Sequence, residues 1–249
     1  VFYDLVTNNR YGAGRWVQKA DIDKYALYRI ARYCDELVDD GSEYTSATPL
    51  KVGDFYRIKV IGSMDWSTVG ASSNAVGTVF QATSNTITTA QAKACGVEPR
   101  FRANVFLTKA TDAYKVFKDF ATIFLGILHW QDSKVVAVQD APQDPIYNFT
   151  KGNVLEEGFS YESSGSRTRI NQVVVTWNDP TVNYQPVPLV VEDRESIVRT
   201  GRIISQNAIA FGATSESQAI RYGRWKLWTA QNQTEIVSFK TSLSAYYVK

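Results

Sequence analysis

Residues 35–63 read DELVDDGSEYTSATPLKVGDFYRIKVIGS, and the character of the chain changes halfway through this stretch. An acidic helix end runs through Asp39 and Asp40 to Gly41, and a polar Ser/Thr link follows it. From Lys51 onward the pattern is typical of a compact β module. The fold of the protein depends on whether Gly41 ends a domain or only interrupts one.

The stretch from 46 to 97 predicts a small all-β module. Its strand candidates are DFYRIKVIG, GTVFQAT and NTITT, and the segment between the first two is rich in small residues and poor in charge. A module of about 50 residues is near the lower size limit for a domain without staples. Because both of its ends are polar and loop-like, we predict that it is inserted into a host domain that resumes near Glu98.

Three main helices are predicted outside this module, over 22–38, 112–128 and 216–230, each with apolar residues at helical spacing. Each helix has side chains or a glycine suited to its ends: Asp21 as an N-cap, Gly41 past the same helix, Thr111 or Asp112 as an N-cap, and a Ser215–Gln218 capping box.

The rest of the chain reads mainly as strands. EPRFRANVFLT and KVVAVQD flank the second helix, and the strand candidates beyond residue 151 are GFSYES, TRINQVVVTWND, VPLVVED and a long closing strand, EIVSFKTSLSAYYV. The run VEDRESIVRTGR at 191–202 alternates in charge, which suits a solvated edge strand or an interfacial ladder of salt bridges. The predicted fold class is therefore α+β with β structure dominating.

Composition narrows the possible functions. The chain has 249 residues, 13% of them aromatic, which favours β structure or broad interfaces over a small enzyme pocket. The net charge of +2 is too mild to indicate nucleic-acid binding. The longest apolar run, at 120–130, is too short to span a membrane. Because the first residue is Val1 and no signal sequence follows, we expect a piece of a longer chain.

Catalytic and metal chemistry have few candidate residues. The only histidine, His129, is predicted to end the second helix and to interact with its last carbonyl groups. The carboxylate pairs Asp39–Asp40 and Glu156–Glu157 are adjacent in sequence, which predicts solvated turns rather than a general acid and base. No catalytic, cofactor-binding or metal-binding residue is nominated, and no cofactor is expected.

Cys34 and Cys95 belong to no CxxC pair, and Cys34 lies on the apolar side of the first helix. A buried free thiol is the preferred interpretation of Cys34, with a disulfide or a ligand as the alternative.

Two groups of aromatic residues leave alternatives open. In RYGRWKLW at 221–228, the arginines and tryptophans either stack on nucleic-acid bases or pack the helix onto a sheet. In the small module, Phe55, Tyr56 and Trp66 either contact a glycan or another partner, or they pack in its core. The glycan contact would make the module a carbohydrate-binding unit that touches the host surface.

Several long blocks of the sequence resemble one known family. They are YALYRIARYCDELVDDG at 25–41, EPRFRANVFL at 98–107, SSGSRTRINQVVVTWNDP at 163–180, VVEDRESIVRTGR at 190–202 and AFGATSESQAIRYGRWKLWTAQNQTEIVSF at 210–239. They resemble the tip attachment proteins, also called host specificity proteins J, of lambda-like long-tailed bacteriophages and related prophages. The resemblance covers nearly all of 1–45 and 98–249.

The resemblance implies a central tail hub, a virion structural protein at the distal end of the tail tube. It implies a homotrimer with tube-like β-barrel domains, contact with other tail-tip and tail-tube proteins, and a lumen that passes DNA without binding it specifically. Receptor contact is expected from parts of the protein absent from this chain. The protein is expected to be made in the cytoplasm of the bacterial host. The implied domains are 1–45 with 98–155 as a hub domain, 46–97 as an insertion, and 156–249 as a second hub domain or a continuation of the first.

Overall fold

The computed structural model describes residues 1–107, 112–131, 134–163, 165 and 169–245. The chain forms two compact units. The first contains residues 1–138 and 212–218, and the second contains 139–211 and 219–249. Both units mix helices and sheets, and none of the sheets in the described ranges closes into a barrel.

The first predicted helix is shorter than expected. Helix α2 spans Lys24–Asp35, and its N-cap is Asp23, whose Oδ1 accepts hydrogen bonds from the backbone N–H of residues 25 and 26. The end predicted to be helical forms strand β1, Leu37–Asp39, instead. Gly41 has a φ of 85°, but it lies in the turn after β1 and not at the end of the helix. Pairing with a distant strand therefore ends this helix.

A four-stranded sheet follows, in the order β1-β4-β2-β3. Strand β2 spans Phe55–Val60, β3 spans Val79–Gln81 and β4 spans Lys93–Pro99. A separate hydrophobic cluster, built from buried residues between 50 and 94, packs on this sheet. The predicted strand NTITT at 85–89 is not a strand, and the sheet reaches beyond 46–97 because β1 and the end of β4 belong to it.

The remaining core of the first unit surrounds helices α1, Phe2–Thr7, and α3, Ala113–Ile123. Asp112 caps α3 as predicted, since its side chain accepts a hydrogen bond from Tyr114 N at 3.0 Å. The helix ends five residues earlier than predicted, at a turn where Leu125 has a φ of 56°. Strands β5, Gly126–Gln131, and β6, Lys134–Gln139, then pair with each other.

Two sequence predictions in this region are wrong. His129 lies in β5 and not at a helix end. The segment 98–107 is a strand only up to Pro99, where β4 ends; residues 101–107 have no regular structure.

The second unit contains a three-stranded sheet in the order β10-β8-β9. Strand β8 spans Gln172–Asp179, β9 spans Gln185–Glu192 and β10 spans Ser205–Ile209. Helix α5, Glu216–Asn232, contributes its residues from 219 onward to this unit. A Cβ added at Gly223 would lie 2.7 Å from a Val191 methyl group, so the glycine permits close packing of helix on sheet.

The predicted edge strand at 191–202 is wrong over most of its length. Residues Arg194–Thr200 form helix α4. The Asp193 side chain accepts a hydrogen bond from Ser196 N at 3.1 Å, and Gly201 ends the helix with a φ of 66°. These two residues are ordinary helix-end signals, and here they outweigh the alternation of charge.

The predicted Ser215–Gln218 capping box is also wrong. The Gln218 side chain accepts a hydrogen bond from Arg102 N at 3.0 Å and donates one to Arg102 O at 3.1 Å. Ser215 Oγ donates to the buried Glu98 carboxylate at 2.9 Å. Both side chains therefore bind residues near 100 rather than each other.

A two-stranded antiparallel ribbon completes the second unit. It pairs β7, Val154–Ser163, with β11, Glu235–Thr241. The predicted closing strand at 235–248 is confirmed only as far as Thr241, since Leu243–Ala245 form a short 3₁₀ helix and 246–248 lie outside the described residues. Its partner β7 precedes it by about 80 residues.

Candidate assembly surface

The β7–β11 ribbon has one apolar face. In its register Phe159 lies opposite Phe239, and Tyr161 lies opposite Val237. Because successive side chains of a strand point to opposite faces, these four residues share one side of the ribbon.

The aromatic rings on this side contact one another. Ring centroids of Phe159 and Phe239 are 5.2 Å apart, those of Phe149 and Phe239 are 4.7 Å apart, and those of Tyr147 and Phe149 are 4.7 Å apart. The interplanar angles of 62°, 50° and 61° are those of tilted or edge-to-face packing. The rings therefore form an apolar ridge and not a flat platform for stacking on sugars.

We call this surface the aromatic face: Tyr147, Phe149, Phe159, Tyr161, Val237 and Phe239. Much of it is open to solvent, since Tyr161 is 66% exposed, Val237 41% and Phe239 37%. A contiguous exposed apolar patch on a folded unit commonly marks a site of protein association.

The opposite side of the ribbon is mostly polar. Ser160 lies opposite Ser238, and Glu162 lies opposite Ile236. Ile236 is 66% exposed, the same fraction as Tyr161, but its neighbours on that side are hydroxyl groups and a carboxylate. The ribbon is therefore amphipathic.

The edges of the ribbon are available as well. In the part of the chain that the structure describes, β7 and β11 pair only with each other. Each strand therefore presents an outer row of backbone N–H and C=O groups that another strand can pair with. Because a two-stranded sheet alone is only marginally stable in water, a further strand or a covering surface would stabilise it. Both the aromatic face and the edges suit association with another polypeptide.

The three residues nominated in the small module lie in different environments. Tyr56 is 1% exposed and Trp66 is fully buried, with its indole Nε1 donating to Ile61 O at 3.1 Å. Phe55 is 45% exposed on the outer side of β2. Only Phe55 offers a ring to solvent, and the glycan or partner contact stays a prediction.

The possible base-stacking segment at 221–228 has its rings engaged within the second unit. Trp225 Nε1 donates to Asp140 Oδ2 at 2.7 Å, its ring lies 5.9 Å from that of Tyr222, and Lys226 Nζ lies 5.3 Å from the ring. Trp228 is 57% exposed. Packing therefore accounts for Trp225, and Trp228 remains accessible.

Asp39 and Asp40, the adjacent carboxylates of the first unit, do not lie in a solvated turn. Asp39 lies in β1 and forms ion pairs with Arg57, at 2.7 Å, and with Lys59. Asp40 accepts a hydrogen bond from Ser42 N at 2.8 Å. Each carboxylate therefore has its own structural partners. The side chains of Glu156 and Glu157 lie outside the described residues.

Both cysteines are free thiols. Cys34 is half-buried against the core of the first unit, and this burial raises its pKa to about 11, with the Asp35 charge contributing in the same direction. Burial also raises the pKa of Cys95. Both thiols are therefore protonated near neutral pH, which agrees with the preferred interpretation of Cys34.

Within the described ranges, no three His, Cys, Asp or Glu side chains are grouped so that they could hold a metal ion. None of the helices described there is both long enough and apolar enough to cross a membrane.

Sequence reasoning did not find the aromatic face. The available signal was the two-residue spacing between Phe159 and Tyr161 and between Val237 and Phe239, which places each pair on one side of its strand. The pairing that brings these strands together depends on residues far apart in the chain.

Comparison with known proteins identifies the class. Residues 112–249 match the family described as "Putative phage tail protein". Because the match covers more than half of the chain, this protein belongs to that phage tail protein family.

Two curated relatives extend the match over almost the whole chain. The sequence is 30% identical over 243 residues to the tip attachment protein J of Escherichia phage SECphi27, covering 98% of this chain. It is 26% identical over 247 residues to the tip attachment protein J of Escherichia phage SECphi4, covering 99%. The resemblance inferred from the sequence blocks is confirmed. The chain spans about one-sixth of the length of these relatives, at 16% and 17%.

Proposed function

We propose that this chain is a non-enzymatic structural segment of the central hub at the tip of a phage tail, and that the hub is a homotrimer. The observation that carries this proposal is the exposed aromatic face on a ribbon with two open edges. Membership of a phage tail family and similarity to J proteins support it.

The exposed area of the aromatic face limits how much it can contribute to the free energy of subunit association. Aromatic side chains offer about 200 Å² each, so the exposed fractions of 66% for Tyr161 and 37% for Phe239 leave roughly 200 Å² uncovered in total. Covering this area is worth roughly 5 kcal/mol at about 25 cal/mol per Å². A standard interface buries about 800 Å² per partner. The longer hub must supply the rest, and we expect this chain alone to be largely monomeric.

The open edges suggest how a tube-like barrel would arise. In a three-fold ring, β7 of one subunit would pair with β11 of the next, so that each ribbon joins two neighbours. Three ribbons supply six strands. Because barrels of about eight strands are filled by their own side chains, a lumen wide enough for DNA needs further strands from elsewhere in the longer protein.

The remaining partners follow from the same proposal. The hub would contact other tail-tip and tail-tube proteins, and a near-neutral chain of net charge +2 would let DNA pass without retaining it. Receptor contact would come from parts outside this chain. The protein would be made in the bacterial cytoplasm and end in the virion, at the tail tip.

We also propose the domain organisation that the sequence predicts. Residues 1–45 and 98–155 would form one hub domain, 46–97 an insertion in it, and 156–249 a second hub domain or its continuation. The separate hydrophobic cluster between residues 50 and 94 supports an insertion with its own core.

The test is the oligomeric mass, by light scattering, of a longer chain that covers the whole hub region. We expect a trimer, and we expect Tyr161→Asp to weaken it because a charge would be buried in the contact. Ile236→Asp is the matched control, since Ile236 is equally exposed on the other side of the same ribbon. Deleting 46–97 should leave the trimer intact if the insertion lies outside the contact.

A monomer at high concentration that also fails to join tail tips would rule out the hub proposal. A trimer that tolerates Tyr161→Asp as well as Ile236→Asp would leave the hub but remove the aromatic face from its contact.

A further inference from the structure

A polar pocket of about 350 Å³ lies in the second unit, beside α4 and the end of α5. Its lining consists of two arginines, two carboxylates, two hydroxyl side chains and two carboxamides. Each of these groups forms directional hydrogen bonds, and no lining side chain is apolar.

The end of α4 beside the pocket is held by a buried carboxamide. Asn171 is fully buried; its Nδ2 donates to Arg202 O at 2.8 Å, and its Oδ1 accepts from Ile204 N at 2.7 Å. The segment that follows α4 is thereby fixed to the start of β8.

A second carboxamide, in the pocket itself, is also held in place. Gln231 Nε2 donates to Ile170 O at 2.8 Å and to Ser196 Oγ at 3.2 Å, and Ser196 is only 3% exposed. The Gln231 Oε1 atom is turned toward Arg199, 3.5 Å from its Nη2. These contacts arrange polar groups before any ligand binds, which lowers the cost of binding.

The charges of the pocket select the class of ligand. Arg169 and Arg199 are balanced by Asp193 and Glu195, so the lining has no net charge. An anion would meet two carboxylates, a cation would meet two guanidinium groups, and an apolar molecule would remove water from eight polar side chains without replacing their hydrogen bonds. A neutral molecule rich in hydroxyl groups avoids all three penalties, since each hydroxyl both donates and accepts.

An exposed indole lies on α5, one helical turn before a residue that lines this pocket. Trp228 is 57% exposed, and Asn232, which lines the pocket, donates from Nδ2 to Trp228 O at 2.9 Å. Residues four apart on a helix are neighbours on one side of it. A polar pocket with an aromatic ring one helical turn away would match the two kinds of surface of a sugar ring, which has hydroxyl edges and an apolar C–H face.

We propose that this pocket binds a neutral saccharide unit, with Arg199, Glu195 and Asn232 contacting its hydroxyl groups and Trp228 covering its C–H face. This site is separate from the small β module and does not depend on the hub being a trimer. It gives the second unit a binding role in addition to its structural one.

The test is a titration of the 249-residue chain, followed by ¹H–¹⁵N NMR. The probes are D-glucose, D-galactose, D-mannose and N-acetyl-D-glucosamine, each added alone to about 50 mM, which detects millimolar dissociation constants. Inorganic phosphate serves as the anion probe. We expect at least one sugar to shift the signals of α4 and the end of α5, and phosphate to bind more weakly.

Variants locate the binding. Arg199→Ala and Trp228→Ala should each weaken sugar binding by about tenfold, the effect of losing one charged hydrogen bond or one ring contact. Arg194→Ala is the control on α4, because Arg194 is exposed but does not line the pocket, and Trp16→Ala is the control for an exposed tryptophan. If Arg199→Ala does not fold, Trp228→Ala decides the result.

Three results overturn the proposal. They are the absence of a shift with every sugar, phosphate binding more tightly than every sugar, and sugar binding that Arg199→Ala and Trp228→Ala leave equal to that of their controls.

Discussion

Replacing residues 41–95 by the dipeptide Asn-Gly should remove the small β module and leave the rest of the protein folded. Strands β1 and β4 lie side by side, with Asp39 opposite Val97, and Asp40 N donates to Gly96 O at 2.9 Å. Asn-Gly is suited to a two-residue turn between antiparallel strands. The replacement therefore converts the two ends of the module into a short hairpin.

The cost of this change can be worked out from the interactions between the module and the rest of the chain. The hydrophobic cluster between residues 50 and 94 shares no residue with the clusters of α1, α2 and α3. The replacement mainly removes two partly exposed ion pairs of Asp39, one with Arg57 at 2.7 Å and one with Lys59. It also removes the hydrogen bond that Arg57 donates to Leu37 O at 2.9 Å. Two partly exposed ion pairs and one hydrogen bond together contribute about 1–2 kcal/mol.

Differential scanning calorimetry and NMR measure the result. A loss of about 1–2 kcal/mol lowers the Tm by about 2–8 °C in a domain of this size. NMR signals of α3 and of the second unit should keep their positions. The point variant Arg57→Ala is the matched control, since it removes one of the two ion pairs and the hydrogen bond and keeps the module. A shortened chain that is unfolded, while Arg57→Ala is folded, would refute the claim that the two cores are independent.

Three further predictions concern single side chains. Trp66→Ala should destabilise the small module by about 3–5 kcal/mol, the usual cost of emptying a buried tryptophan site, whereas Phe55→Ala at an exposed site should cost far less; equal effects in calorimetry would contradict the buried position. Burial raises the pKa of Cys34 to about 11 from an ordinary 9.0, so its contribution to stability is complete below about pH 9 and is lost as the pH rises toward 11. Denaturation of Cys34→Ala, compared with the natural protein across this pH range, should lack that loss; identical pH profiles would count against it. Asn171→Ala should lower the free energy of unfolding by about 2–3 kcal/mol because Ile204 N and Arg202 O lose their partner, whereas Asn178→Ala, at an exposed site, should have a small effect in urea denaturation.

Local signals predicted several elements well. Asp112 before an apolar stripe gave the start of α3, because a cap and its helix are adjacent in sequence. The alternation of apolar and polar residues predicted β6, β8 and β11, because this pattern also depends only on residues close together in sequence. The presence of a β-rich segment with its own core was also visible from composition and turn residues.

Pairing between residues far apart in the chain explains why both predicted ends of the first helix are wrong. The predicted cap Asp21 is wrong because Ile22 pairs with Val135 and Asp23 N donates to Val135 O, which keeps Ile22 and Asp23 extended. The first helix ends early because Leu37 pairs with Pro99. Tertiary pairing overrides helix propensity in both places.

The candidate site was beyond sequence reasoning for the same reason. Tyr161 and Val237 are 76 positions apart, and nothing local to either one specifies the other. The aromatic residues of the small module are close together in sequence, yet Tyr56 and Trp66 are buried. Proximity along the chain was a poor guide to a shared surface.

The exposed face and edges of the ribbon have a consequence for the proposed assembly of the tail. An exposed apolar face beside the edges of a two-stranded ribbon is a recognised aggregation hazard, because a strand of a misfolded chain can also add to such an edge. In the hub proposed above, the free subunit would be most vulnerable to aggregation between its synthesis and its assembly. Timely assembly, more than the stability of the folded subunit, would then limit the yield of intact tails.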